Sequence, residues 1–180
     1  MANLSDRYTE LGITIGGGGG GGGFIWNETP GNSPTRAELA GERVYDFEQG
    51  ASQTLVGWVK VPSSYSAGNQ ISMTIGFAVA SAGIDKVKMN TTATRIATGA
   101  AVTDVTNQHA STAADTTLNG TQNALNFSVL DLTDGSGEIN SVAVAPGNLI
   151  KVELTRSAPA GTEDTNDIRL IPSVTEVTFS

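Results

Sequence analysis

The sequence predicts an all-β protein, one β-sandwich domain that follows an extended N-terminal arm. After Val44, apolar residues recur at every second position through most segments, which is the period of a strand with one buried face. Turn-forming clusters such as Ser66-Ala67-Gly68-Asn69 and Asp134-Gly135-Ser136-Gly137 separate these segments. No long segment has the apolar period of a helix. Together these observations favour an antiparallel sandwich with polar outward faces.

We expect about eight strands, spaced as in a sandwich of short strands. They span residues 44–47, 54–61, 71–80, 87–96, 125–132, 139–144, 149–155 and 168–179. Within the fifth of these, Leu125, Phe127 and Val129 alternate with their neighbours and share one face. The Thr-rich segment 98–123 predicts one further short strand, 101–105, and a long loop.

The chain divides into an arm, residues 1–41, and a sandwich domain, residues 42–180. The arm has an alternating apolar stretch, then eight consecutive glycines, then a second apolar stretch. The period of two predicts an extended segment that lies on a sheet or on a neighbour. The candidate residues for binding a neighbour are Leu11, Ile13, Ile15, Gly16, Gly17, Gly18, Gly19, Gly20, Gly21, Gly22, Gly23, Phe24, Ile25 and Trp26.

Two interpretations of the glycine run stay open. Glycine loses the most backbone entropy on ordering, so composition alone is typical of a flexible linker. The apolar residues on both sides favour a strip that is held at each end by its surroundings, including other subunits.

Beyond a turn-rich hinge at 30–34, the spacing of Thr35 and Glu38 predicts one short helical turn over residues 35–42, with Thr35 as its cap.

Charge and composition exclude several classes of partner. The chain has 18 acidic and 10 basic residues, a net charge of -8, one histidine and no cysteine. Disulfides and thiolate metal sites are therefore absent, and repulsion disfavours nucleic acid and anionic membranes as partners. Residues 1–10 lack the basic-then-apolar order of an export signal, and no apolar run approaches a membrane span. We expect a chain that is made in a cytoplasm and stays soluble there.

No motif in the sequence predicts catalysis or a cofactor. Phe24 follows the glycine run, where a phosphate-binding loop needs Lys and then Ser or Thr. The triplet Gly135-Ser136-Gly137 resembles half of a nucleophile elbow, but its position predicts a β-turn. His109 has no neighbouring His or Cys and is expected to be a surface residue. We therefore expect a protein that is not an enzyme.

Two acidic clusters are candidates for a calcium ion, since hard cations prefer several oxygen ligands on a tight turn. The first consists of Asp131, Asp134 and Glu138, and the second of Glu163, Asp164 and Asp167. Neither has the spacing of the twelve-residue calcium loop. The favoured interpretation for both is a solvated turn.

Two stretches carry a resemblance to structural proteins of tailed phages. Residues 58–81 read WVKVPSSYSAGNQISMTIGFAVAS, a strand that ends at proline, a Ser-Tyr turn and a long alternating strand. Residues 145–179 read APGNLIKVELTRSAPAGTEDTNDIRLIPSVTEVTF, a Gly turn, a Val-containing strand that ends at Arg, an acidic loop and a final strand. This order, over about Val44 to Phe179, resembles the jelly-roll decoration (cement) proteins and fibre heads of tailed phages.

The resemblance implies a jelly-roll domain that forms a homotrimer on the capsid surface of a virion, with the phage major capsid protein as partner. In such proteins a terminal arm reaches a neighbouring subunit or the shell, and no catalytic residue is implied. The octaglycine and the long arm depart from the usual pattern. The alternative is a receptor- or carbohydrate-binding head of a phage fibre, with the loops 98–123 and 157–167 as the sugar-binding surface. Those loops contain no aromatic residue on which a sugar ring would stack.

Overall fold

The computed structural model describes residues 24–29, 31–82, 85–101, 106–111 and 115–180, without the side chain of Ile25. These residues form thirteen strands and no helix. The strands are β1 (Ile25–Glu28), β2 (Thr35–Leu39), β3 (Glu42–Phe47), β4 (Thr54–Lys60), β5 (Ile71–Val79), β6 (Lys86–Ile96), β7 (Gln108–Ala110), β8 (Thr116–Thr117), β9 (Asn126–Asp131), β10 (Glu138–Ile139), β11 (Val142–Ala143), β12 (Leu149–Ser157) and β13 (Ile168–Phe179). Within the described ranges, no helix is long and apolar enough to cross a membrane.

Two antiparallel sheets make up the sandwich. Sheet A has the order β1-β4-β12-β6-β7, with β8 also paired to β6, and sheet B has the order β2-β3-β13-β5-β9. The short strands β10 and β11 form a separate hairpin. The long strands β3, β4, β5 and β6 alternate between sheets B and A, and so do β9, β12 and β13. The predicted all-β fold is therefore confirmed.

The core lies between the sheets because the inward residues of the central strands are buried, and in β12 buried and partly exposed residues alternate strictly. In β12 the even-numbered residues from Ile150 point inward and the odd-numbered residues are partly exposed. The inward side chains of β5 are large and fully buried. The buried apolar set of these two strands is Ile71, Met73, Ile75, Phe77, Val79, Ile150, Val152 and Leu154.

Two predictions of local structure were wrong. The short helical turn predicted over residues 35–42 is instead the hairpin of β2 and β3, in which Leu39 pairs with Glu42. A spacing of three residues between Thr35 and Glu38 fits a helix cap and a strand equally well, and pairing with β3 decides for the strand. The single strand predicted over 139–144 is the hairpin β10–β11, which turns at Asn140 and Ser141. The strand predicted at 101–105 lies, apart from Ala101, outside the described residues.

The first two strands belong to residues that the sequence assigned to the arm. β1 pairs with β4 at the edge of sheet A, and β2 pairs with β3 at the edge of sheet B. The described end of the arm therefore forms ladder hydrogen bonds with the sandwich. Of the arm's candidate residues, Leu11, Ile13, Ile15 and Gly16 to Gly23 lie outside the described residues.

The β2–β3 turn holds an alanine in a conformation that alanine disfavours. Ala40 has φ 52° and Gly41 φ 84°, the geometry of a two-residue type I′ turn. Asparagine tolerates this left-handed region better than alanine does. We expect Ala40→Asn to raise the free energy of unfolding by about 0.5–1 kcal/mol. Urea unfolding measures the change.

The matched control is Ala37→Asn, three residues earlier in the extended part of β2. Asparagine is depleted in strands, so this control is expected to lower stability. Equal effects of the two substitutions would contradict the turn geometry.

Candidate binding surfaces

The base of the arm is fixed to the edge of sheet A by two aromatic rings. The rings of Phe24 and Trp26 meet edge to face, with centroids 4.5 Å apart and planes at 70°. In the β1–β4 pair, Trp26 lies opposite Gly57. The indole Nε1 of Trp26 donates a hydrogen bond of 3.4 Å to Oγ1 of Thr175 in sheet B. This contact links the two sheets where the described chain begins.

Gly57 makes this packing possible. It occupies an inward position between Leu55 and Val59, where a side chain is expected. A Cβ on Gly57 would lie only 2.1 Å from Cζ of Phe24, so any other residue there would displace the ring. Both described rings of the predicted arm site thus pack against this chain's own core. This differs from the predicted role of Phe24 and Trp26 as contacts to a neighbour. A glycine at an inward strand position was the sequence signal for the close approach.

The outer face of β9 is apolar, which reverses the expected polarity. Leu125, Phe127 and Val129 are 46%, 52% and 63% exposed, whereas Asn126 and Ser128 point inward and are each 7% exposed. Val174 of β13 is also exposed. We call Leu125, Phe127, Val129 and Val174 the β9 face. The predicted polar outer face is therefore wrong for this strand.

Hydrogen bonds explain why the polar side of β9 is buried. Oδ1 of Asn126 accepts the N–H of Asn119 at 2.9 Å, and its Nδ2 donates to the carbonyl of Ala124 at 2.9 Å. The hydroxyl of Ser128 is hydrogen-bonded to that of Thr116. Buried polar groups with partners cost little, whereas a one-residue slip of the strand would leave them unpaired.

The β9 face is contiguous because the pairing of β13 with β5 shifts register next to Gly76. Ile171 pairs with Gly76 and Glu176 pairs with Thr74, so the register shifts between them. Pro172 lies in the shifted segment and has no N–H to donate to a ladder. A Cβ on Gly76 would lie 2.2 Å from Cγ2 of Val174 and 3.4 Å from Cδ1 of Leu125. Phe127 lies directly opposite Gly76 in β9, so these side chains adjoin one another.

The outer face of sheet A is mostly polar and carries one tryptophan. The register places Trp58 of β4 beside Lys151 of β12, then Thr94 of β6 and Gln108 of β7. Nε2 of Gln108 donates to Oγ1 of Thr94 at 3.4 Å. Trp58 is half-buried in this row.

In the first acidic cluster, the carboxylate of Asp134 accepts hydrogen bonds from the backbone. Oδ1 of Asp134 accepts the N–H groups of Ser136 and Glu138, each at 2.9 Å. These bonds close the turn that contains Gly135, Ser136 and Gly137, so the triplet lies in a β-turn as predicted. Within the described ranges, no three His, Cys, Asp or Glu side chains lie close enough to hold a metal ion. His109 is half-buried in β7, opposite Ala93.

The second acidic cluster surrounds a buried arginine that sequence reasoning missed. Nε of Arg156 donates to Oε1 of Glu163 at 3.2 Å, and the Arg156 side chain is 2% exposed. Asp164 is buried, and its Oδ1 accepts both the N–H and Nδ2 of Asn166, at 2.8 and 2.7 Å. Glu163 and Asp164 are therefore structural rather than solvated. An arginine that continues the inward positions of β12 was the available sequence signal.

Arg156 also binds three backbone carbonyls. Its Nη1 donates to the carbonyls of Phe47 at 3.2 Å and Asn166 at 2.8 Å, and its Nη2 donates to that of Asp164. Burial lowers the pKa of Arg156 from its ordinary value, and the charge and hydrogen bond of Glu163 oppose that shift. The guanidinium thus joins the end of β3 to the segment between β12 and β13.

Comparison with known proteins finds similarity among solved structures. Neither models of protein families nor curated proteins match the chain. Among solved structures, an arabinose-bound α-L-arabinofuranosidase is similar at 13% identity and a TM-score of 0.36, over 86% of this chain and 21% of its own. AvmM, which catalyses macrocyclization in alchivemycin A biosynthesis, is similar at 9% identity and a TM-score of 0.36, over 76% of this chain and 78% of its own. The chain thus spans about a fifth of the arabinofuranosidase.

Replacing Gly57 tests the base of the arm. We expect Gly57→Ala to lower the free energy of unfolding by about 2 kcal/mol, because the new methyl group overlaps the ring of Phe24. Urea unfolding followed by tryptophan fluorescence measures the loss. Truncating Phe24 to Ala in the same chain should remove most of this loss, because Cε3 of Trp26, 3.1 Å from the new Cβ, is then the remaining close atom.

Gly135→Ala is the control, because its Cβ would meet nothing within 4 Å. Its effect should stay within about 0.5 kcal/mol. A Gly57→Ala protein as stable as the wild type would show that Phe24 does not occupy this site.

Truncating Arg156 tests the buried guanidinium. We expect Arg156→Ala to lower the free energy of unfolding by about 3 kcal/mol, because Glu163 and three carbonyls lose their donor inside the protein. Chemical unfolding at pH 7 provides the measurement. Arg36→Ala removes a more exposed pair with Glu28 and should change stability by less than about 1 kcal/mol. Similar losses in both variants would refute the assigned role of Arg156.

Proposed function

We propose that this chain is a structural virion protein, a homotrimeric decoration (cement) protein on the capsid surface. Residues 1–23 of its arm bind the phage major capsid protein and so stabilise the head shell, whereas Phe24 and Trp26 fix the arm to the domain. The proposal includes no cofactor and no catalytic residue. Its basis is the phage resemblance of residues 58–81 and 145–179, together with the way in which the arm joins the domain.

The base of the arm is the observation that carries the proposal. Phe24 and Trp26 hold β1 against β4, directly after the glycine run. Any pull on the preceding residues is therefore transmitted to the sheet through ladder hydrogen bonds and two packed rings. A decoration protein needs such a rigid attachment, because it must resist forces between its shell-bound arm and its domain.

The strand order supports the jelly-roll interpretation. Sheet B contains β3-β13-β5-β9 and sheet A contains β4-β12-β6-β7, which together make eight strands. Successive strands cross between the sheets in the manner of two Greek keys. Decoration proteins of tailed phages are the class that the sequence resembles, and their domain is expected to have this order.

The mechanism is mechanical. Ile15 lies nine residues and Leu11 thirteen residues before Phe24, so the anchors Leu11, Ile13 and Ile15 lie within about 45 Å of the fixed base. Glycines allow close approach of one backbone to another, and their amides can extend the sheet edge of a neighbour. Weak contacts repeated by symmetry add up to a large holding strength.

A carbohydrate-binding head of a phage fibre is the second candidate. The row on sheet A favours it, because Trp58 offers an aromatic ring beside the amine of Lys151, and the exposed amide of Gln108 lies two strands further along the row. Of this row, Gln108 alone belongs to the loops 98–123 and 157–167 that the sequence suggested.

Binding to undecorated phage shells tests the first proposal. Full-length protein should sediment with shells, and protein without residues 1–23 should stay in the supernatant with its fold intact. The triple variant Leu11→Ser, Ile13→Ser, Ile15→Ser should also fail to bind, because the apolar anchors are lost.

The matched control changes Thr9 and Thr14 to Ser and should bind like the wild type. Shell binding by the protein without residues 1–23 would refute the role of the arm. If no form binds shells and the full chain binds sugars on a glycan array, the fibre-head candidate is favoured.

A further inference from the structure

All four lysines of the chain project from the outer face of sheet A. Lys60 ends β4, Lys86 and Lys88 lie at the start of β6, and Lys151 lies near the start of β12. Each is the strand neighbour of a buried inward residue, so each side chain points away from the core. In a chain with a net charge of -8, this concentration of cations sets the face apart.

The acidic side chains beside these lysines gather toward the end of the face where β6 begins. There Oδ2 of Asp115 lies 4.0 Å from Nζ of Lys86, and Asp85 and Glu163 adjoin the same end of β6. Of the outward residues in the described strands of sheet A, Glu153 alone is acidic. The end of the face where β4 ends therefore carries the less opposed positive charge.

Lys60 stands at that less opposed end, next to an open cavity. Lys60 is exposed and forms no ion pair with an acidic group among the described residues. The cavity measures about 360 Å³, and its lining includes Lys60, Leu149 and the turn 97–100. The N–H groups of Thr98 and Gly99 in this turn donate to no other residue that the structure describes. The cavity thus offers an ammonium group and backbone donors to an anion.

Trp58 adds an aromatic surface next to this cavity. It precedes Lys60 by two residues on the same side of β4 and lies opposite Lys151 of β12. Its ring is half-buried and lies outside the hydrophobic core. In the described part of the chain, the indole N–H has no acceptor. Such a ring can stack on a sugar ring while its N–H binds a sugar oxygen.

The outward residues around Trp58 favour a glycan over a protein as the ligand. Hydroxyl and amide side chains fill much of the face, namely those of Asn90, Thr92, Thr94, Gln108 and Thr155. These groups both donate to and accept from the hydroxyls of sugars. A protein partner would need an apolar interface core, which this face does not provide.

The spacing of the lysines favours a ligand with separated charges. Lys60 lies level with Leu149, and Lys88 lies level with Ser157, at opposite ends of β12. This length of antiparallel strand spans about 27 Å, and Lys151 lies within it. One phosphate or sulfate group cannot reach all of these cations, whereas carboxylates on successive sugar rings can. Nucleic acid has a far higher charge density, which an acidic protein repels.

From these observations we infer that the outer face of sheet A binds a glycan whose sugar rings carry carboxylate groups. Trp58 stacks on one ring, Lys60 pairs with a carboxylate at the cavity, and Lys88 pairs with a more distant one. Glu153 contacts Nζ of Lys151 at 2.5 Å and orients its ammonium group. The inference rests on the second candidate function, the carbohydrate-binding head, and adds the charge of the ligand.

A glycan array probed with the full chain tests the inference. Glycans that contain hexuronic or sialic acids are each printed beside their neutral methyl esters, so that rings and linkages are matched. We expect the acidic forms to bind more tightly than the esters by on the order of tenfold. The best pair is then titrated in solution by tryptophan fluorescence, since Trp58 and the core-packed Trp26 are the two tryptophans.

Lys60→Gln separates the contribution of charge from that of stacking. It should weaken binding of the acidic glycan about fivefold and leave the ester unchanged, because an exposed ammonium group is lost and the ring is kept. Trp58→Ala should weaken binding of both ligands, with unchanged far-ultraviolet circular dichroism. The matched control is Arg43→Gln, which removes a positive charge at an exposed position of β3 in sheet B and should bind like the wild type.

Three results would overturn the inference. Equal binding of acids and esters that is lost in Trp58→Ala would keep the carbohydrate-binding head and refute its charged ligand. Equal losses in Lys60→Gln and Arg43→Gln would reduce the effect to net charge. An array without any bound glycan would refute the inference and the second candidate together. If Lys60→Gln then also fails to sediment with shells, the face contacts a shell protein.

Discussion

One buried guanidinium governs how the chain closes its two sheets. β12 lies between β4 and β6 in sheet A, and β13 lies between β3 and β5 in sheet B, so two consecutive strands complete the two sheets. Arg156 stands where the chain crosses between them and binds Glu163 and the carbonyl of Phe47. Its burial is tolerable only because Nε and both terminal nitrogens have acceptors. The pairing of β13 in sheet B therefore depends on how Arg156 holds the connection that follows β12.

The residues that directly follow the glycine run are packed against the sandwich. Gly57 leaves a gap on the inner side of β4, and Phe24 fills it with Trp26 stacked edge to face. The hydrogen bond from Trp26 to Thr175 extends the attachment to sheet B. Thus the chain after the glycine run is held by both sheets.

β9 shows how a strand keeps an apolar face outside. The inward Asn126 and Ser128 have hydrogen-bond partners, and Leu130 of the same strand packs in the core. The strand cannot slip by one residue without unpairing the first two and exposing the third. This register leaves Phe127 and Val129 available for contact. The exposed apolar side is thus maintained by polar bonds on the buried side.

Alternation of apolar residues was enough to predict an all-β sandwich and the positions of its long strands, because a period of two is a local property of extended chain. It also revealed that β9 has one apolar face. It did not reveal that this face points outward, since the direction is set by pairing with β5 and by partners such as Thr116. The strand at Thr35, the fit of Phe24 onto Gly57 and the acceptors of Arg156 were likewise decided by the tertiary structure. Each depends on residues far apart in sequence, whose meeting no local pattern encodes.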